Sequence, residues 1–80
     1  MEARLGSLRI GDEAIVSGFS KGARDYRTRV MAMGLTKGTR LRVVRSAPLG
    51  DPIEISVRGF ALSLRRKEAD AVLVRRSESS

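Results

Sequence analysis

Two runs between Thr39 and Arg58 alternate regularly enough to constrain the whole chain. TRLRVVR sets Leu41 and Val43 against Arg40 and Arg42, and IEISVR sets Ile53, Ile55 and Val57 against Glu54, Ser56 and Arg58. A two-residue period belongs to a strand with one buried and one wet face. The connector, Pro48-Leu49-Gly50-Asp51-Pro52, is turn chemistry, with its prolines at the strand ends where a ladder N–H is not missed. The segment therefore predicts a hairpin corner, and no ligand is needed to explain its residues.

Further elements follow from the same reading. Glu13–Phe19 (EAIVSGF) follows the turn signal Gly11-Asp12 and predicts a first strand. Ala23–Met33 contains no proline or glycine and spaces Tyr26, Val30 and Met33 along one helical face, with Gly34 as the stop. Met31 then lies about 100° from that face, on the helix surface beside Arg27 and Leu35; adaptable core packing is the first explanation of such a flexible thioether, and a protein contact is the alternative. After a bend at Gly59, Phe60–Leu64 alternates, Arg65–Asp70 reads as a single exposed turn, and Ala71–Val74 closes the sheet. The tail RRSESS has nothing to bury and is expected to fray. Strands dominate around one short helix, so the expected fold is mainly β, a small barrel or half-open sandwich.

Composition narrows the function. Eighty residues allow one compact domain and leave no room for a large buried cavity. The chain has no cysteine and no histidine, which removes thiolate and imidazole metal ligands and the usual base of a catalytic triad. Lys21, Lys37 and Lys67 show no spacing that would replace that base. GLTKGT, Gly34–Thr39, misses the spacing of a phosphate loop, and Gly34 and Gly38 read as turn glycines. The acidic pairs Asp12/Glu13, Asp51/Glu54 and Glu68/Asp70 lack the order of a calcium loop. The reading is a non-enzyme without metal or cofactor. No unbroken apolar run marks a signal peptide or membrane span, and the chain reads as cytoplasmic.

The net charge is +7, and thirteen of the sixteen cations are arginine, which favours an anionic neighbour. A small basic barrel that binds nucleic acid is the alternative function. It is under-equipped, because only Phe19, Tyr26 and Phe60 are aromatic and at least two of them are better used as core. Without tryptophan, proline-rich recognition of the kind seen in signalling SH3 domains is also not expected.

In order along the chain, LGSLRIGDEAIV, RTRVMAMGLTKGTRLRVV, APLGDPIEISVRG and LSLRRKEADAVLV resemble the FeoA family of bacterial ferrous iron uptake. The resemblance implies an SH3-like β-barrel with one inserted α-helix over residues 1–76, leaving 77–80 as a flexible tail. It departs from the family pattern at Lys37, where proline is common, and at Val30 and Met33, where leucine is. It implies a non-enzymatic cytoplasmic accessory that binds or regulates FeoB, the membrane ferrous iron transporter with a cytoplasmic GTP-binding domain, through the transporter's cytoplasmic part. Contact with the membrane would run only through that transporter, and no specific nucleic acid is expected. The surface that this reading offers the partner is the helix, through Arg27, Arg29 and Met31, together with Leu49 at the corner.

Overall fold

The computed structural model describes residues 2–21, 24–48 and 51–76. Along them run β1 (Glu2–Arg4), a 3-10 turn (Leu5–Ser7), β2 (Glu13–Phe19), α1 (Arg24–Ala32), β3 (Arg40–Ser46), β4 (Ile53–Val57), β5 (Phe60–Leu64), α2 (Arg66–Asp70) and β6 (Val72–Arg76). All six strands join one antiparallel sheet in the order β1-β6-β2-β3-β4-β5. The mainly β expectation holds. Bulges between Val16 and Gly18 in β2 and between Val43 and Arg45 in β3 interrupt the ladders, and such insertions bend a strand so that a sheet can curl over its own core.

The alternation read in the sequence becomes the inner face of that sheet. Leu41 and Val43 of β3 and Ile53, Ile55 and Val57 of β4 are buried, and β2 and β6 complete the layer with Ala14, Val16, Val72 and Val74. The predicted hairpin is present: Val43 faces Ile55 and Ser46 faces Ile53. The tip of the corner, Gly50 with Leu49, lies outside the described residues.

At the C-terminus of α1, Gly34 takes φ +100°, which a side chain tolerates poorly. There Leu35 N–H donates to Val30 O at 3.0 Å and Gly34 N–H to Met31 O at 3.0 Å, the paired bonds that satisfy the last carbonyls of a helix. The reversal drives Leu35 inward against Val30, and both are fully buried. Leu35 is thus core, not the surface neighbour of Met31 that helical spacing suggests, because the helix has already ended.

Three further expectations are corrected. Arg65–Asp70 is not an exposed turn, since Arg66–Asp70 is a second helix that buries Glu68 and Ala69. The polarity of RRKEAD hides this, because a five-residue helix is held by its surroundings and not by its own pattern. Arg75 and Arg76 do not fray with the tail: they end β6, with Arg75 opposite Ile15 and Arg76 opposite Ala14. The N-terminal β1 and the 3-10 turn, absent from the sequence reading, add a strand to the free side of β6 and bury Leu5 completely. Residues 77–80 lie outside the described residues.

Candidate partner-binding surface

Helix α1 has two distinct exposed sides. At about 100° per residue, Arg27 and Met31 stand one turn apart on the same stripe, whereas Arg29 is about 200° from Arg27 and shares its side with Tyr26. Met31 is 42% exposed, as its position off the buried face predicts. The structure therefore keeps Arg27 and Met31 together and separates Arg29 from both. Leu49, the fourth expected contact residue, lies outside the described residues.

Arg29 turns toward α2. Its Nη1 donates to Glu68 Oε2 at 3.3 Å, while its side chain stays 63% exposed and that of Glu68 only 6%. The other oxygen, Oε1, accepts the Arg65 N–H at 2.9 Å, so Glu68 reaches back over the first turn of α2 in the way a capping glutamate does. Asp51 Oδ1 accepts the Arg66 N–H at 3.1 Å and ties the hairpin corner to the same helix start. Within α2, Arg66 Nε lies 3.9 Å from Asp70 Oδ2. Two carboxylates thus gather α1, the corner after β3 and α2 around one helix N-terminus, where negative charge is favourable.

Between these elements lies an open cleft of about 280 Å³ lined by Tyr26, Arg29, Asp51, Arg65 and Lys67. Three cations against one carboxylate make it attractive to an acidic side chain, and the phenol ring supplies an apolar wall with a polar tip. No nucleophile stands beside a base here, and among the described residues no group of three or more acidic side chains could hold a metal ion. Of the acids noted in the sequence, Asp12, Asp51, Glu54, Glu68 and Asp70 are drawn into protein bonds instead. Asp12 binds the Arg9 N–H and Arg76, Glu54 lies 3.9 Å from Arg45, and Asp51, Glu68 and Asp70 serve α2.

Asp12 carries the resolved shift in acidity. The Arg9 N–H first, and then the Arg76 guanidinium, hold its carboxyl below the ordinary carboxylate value. The bonds are 2.8 Å and 2.9 Å, both to Oδ2. They clip the turn before β2 to the end of β6.

Sequence reasoning missed Glu68 and the cleft. The one available signal was the glutamate three residues after Arg65, which occupies the capping position but follows an arginine in place of the usual serine or threonine. The aromatics divide. Phe19 packs against the core, Tyr26 is half-buried at the cleft, and Phe60 is 72% exposed at the β4–β5 turn.

Residues 3–76 match the FeoA domain family model. A curated relative, the Fe(2+) transport protein A/Fe(2+) transporter FeoB fusion protein of Porphyromonas gingivalis, is 35% identical over 71 residues. That match covers 89% of this chain but 8% of the fusion protein. The FeoA-like protein from Clostridium acetobutylicum superposes with a TM-score of 0.88 at 33% identity, covering 99% of this chain and 91% of that one. FeoA of Stenotrophomonas maltophilia, solved with zinc and described as a prokaryotic SH3 domain protein, gives 0.77 at 26% identity, covering 91% and 89%. The curled six-stranded sheet is accordingly SH3-like.

Proposed function

The chain belongs to the FeoA family, and from that membership we propose that it is a non-enzymatic cytoplasmic accessory of ferrous iron uptake that binds or regulates a FeoB-type transporter. One observation carries the reading: in the Porphyromonas gingivalis relative, a domain like this one and the transporter share a polypeptide. Fusion raises the effective concentration of one module at the other, which is useful when the two must meet. Among the described residues no helix is long and apolar enough to cross a membrane, so the chain would reach the transporter from its aqueous side.

The contact surface in this reading is α1, with Arg27 and Met31 on its free stripe and Arg29 at the edge of the cleft. An exposed thioether beside a cation suits an adaptable protein contact. The cleft adds charge complementarity for an acidic segment of the transporter.

The test is a titration of the whole chain against the soluble cytoplasmic domain of a FeoB-type transporter, in each nucleotide state and at physiological salt. The double variant Arg27→Glu, Met31→Ser is expected to weaken binding at least tenfold, a typical loss for central contacts. An unchanged affinity would remove α1 as the surface. No binding in any nucleotide state would remove the transporter reading itself.

A further inference from the structure

A second charged feature lies on the outer face of the sheet and shares no residue with the cleft. In the ladder, Glu13 faces Arg42 and Arg42 faces Ser56, so β2, β3 and β4 present these three side chains in one row. Beyond the end of this ladder, Arg40 of β3 and Arg58, in the turn after β4, line the same part of the surface. Glu13, Thr39, Arg40, Arg42, Ser56 and Arg58 line one open depression of about 460 Å³.

Three observations set this depression apart. First, among the described residues no ion pair engages Arg40, Arg42 or Arg58, and these three unpaired arginines share one depression. Second, the depression gathers three like charges against the single carboxylate of Glu13, and such self-repulsion is unfavourable unless a counter-charge is supplied. Third, Arg58 occupies the left-handed region at φ +52°, followed by Gly59 at +85°. A two-residue hairpin turn with both central residues there selects asparagine, aspartate or glycine at the first position, and arginine gains nothing from it. A residue that breaks a local rule without a local return is the mark of a functional position.

We infer that Arg40, Arg42 and Arg58 form a binding site for a phosphate group, either free or carried on a nucleotide or lipid. An anion between Arg40 and Arg58 converts their mutual repulsion into two attractions. Phosphate fits better than carboxylate. One guanidinium fork can occupy both oxygens of a carboxylate, whereas a phosphate dianion has oxygens left for a second and third fork. The Ser56 hydroxyl, which has no hydrogen-bond partner among the described residues, is a further donor. Glu13 opposes binding at the Arg42 end and so directs the anion toward Arg40 and Arg58. The inference does not rest on the transporter reading, since it concerns another surface and a ligand that can be supplied alone.

The probe is inorganic pyrophosphate, titrated into the isotope-labelled whole chain and followed by amide and arginine side-chain NMR signals. Shifts are expected at Arg40, Arg42, Ser56 and Arg58. Arg40→Gln and Arg58→Asn should each weaken binding about tenfold, the scale of one charge-assisted contact, and Glu13→Gln should tighten it several-fold. Lys21→Gln, an exposed cation elsewhere, should change it less than about twofold if the site and not net charge binds. Arg58→Asn suits the turn, so loss of binding with retained chain folding is interpretable. A parallel arm adds phosphatidylglycerol vesicles. Vesicles ignored while pyrophosphate binds indicate a free or nucleotide phosphate, and vesicles bound and then released by pyrophosphate indicate a lipid headgroup. No shifts at millimolar pyrophosphate, or equal losses in the Lys21, Arg40 and Arg58 variants, would overturn the assignment.

Discussion

Replacing Glu68 by alanine tests whether the α1–α2 region is fastened as its geometry implies. The carboxylate makes two separable bonds, to the Arg65 N–H at 2.9 Å and to Arg29 Nη1 at 3.3 Å. Loss of a capping bond costs about 1 kcal/mol. The ion pair adds about 0.5 kcal/mol, because Arg29 is 63% exposed and solvent screens it. Glu68→Ala should therefore destabilise the chain by about 1.5 kcal/mol; with a urea dependence of about 1 kcal/mol per molar for a domain this small, the unfolding midpoint falls by about 1.5 M. Glu68→Gln keeps an acceptor for the Arg65 N–H and should lose about 0.5 kcal/mol, as should Arg29→Ala. In the Glu68→Ala, Arg29→Ala double variant the costs should fall short of additivity by about 0.5 kcal/mol. Equal midpoints for Glu68→Ala and the parent would refute the reasoning. Equal losses for alanine and glutamine would refute the division between the two bonds.

Two other outcomes follow from single residues. The Asp12 carboxyl, followed by NMR, should titrate below the ordinary value of 3.8, and Arg76→Gln should move it partway back, since the Arg9 N–H remains. A carboxylate lowered by folding stabilises the fold above its unfolded value and loses that contribution as pH falls through the folded one, so acid unfolding should begin at higher pH in Arg76→Gln. A midpoint at or above 3.8 would contradict this. Gly34→Ala should cost about 1 kcal/mol from the backbone alone, because φ is +100° while a Cβ there would meet nothing within 4 Å. A thermal melt unchanged by that substitution would show that the end of α1 adjusts freely.

Legibility in the sequence followed how local each cause is. The strands β3 and β4 were readable because alternate residues report a buried and a wetter face, and β2 because the turn signal Gly11-Asp12 precedes an apolar run. Helix α1 was readable from Tyr26, Val30 and Met33, and its end from Gly34, which also placed Met31 on the surface. What escaped depends on distant partners. Three residues of β1 are too few to show a period, and only Leu5, just beyond them, is fully buried. Helix α2 is polar apart from Ala69, and the partners that bury it are distant in sequence: Ala69 joins the core cluster, and Glu68 pairs with Arg29, 39 residues away. Helical spacing alone divides Arg29 from Arg27 and Met31, but that Arg29 turns to Glu68 depends on the same distant partner. Arg58 was correctly readable as a polar-face residue of the β4 alternation, but its left-handed backbone was not, because turn chemistry would have put asparagine or glycine there.

The arginines themselves give the last step. A surplus of positive charge raises the cost of compactness through self-repulsion, and the fold answers it unevenly. Arg29, Arg45, Arg66 and Arg76 each have an acid within 4 Å, and three of these pairs join different elements. Each such pair contributes at most about 1 kcal/mol, so their value lies in fixing positions more than in stability. Of the arginines that make no ion pair among the described residues, Arg40 and Arg58 share one depression whose single lining acid is Glu13. Were stability the only constraint, a neutral residue at either position would serve better, and asparagine at 58 would also suit the turn. The arrangement makes physical sense when the compensating charge arrives from outside. Because the depression and the α1–α2 cleft share no residue, variants in one should leave binding at the other unchanged, as expected of sites without common partners.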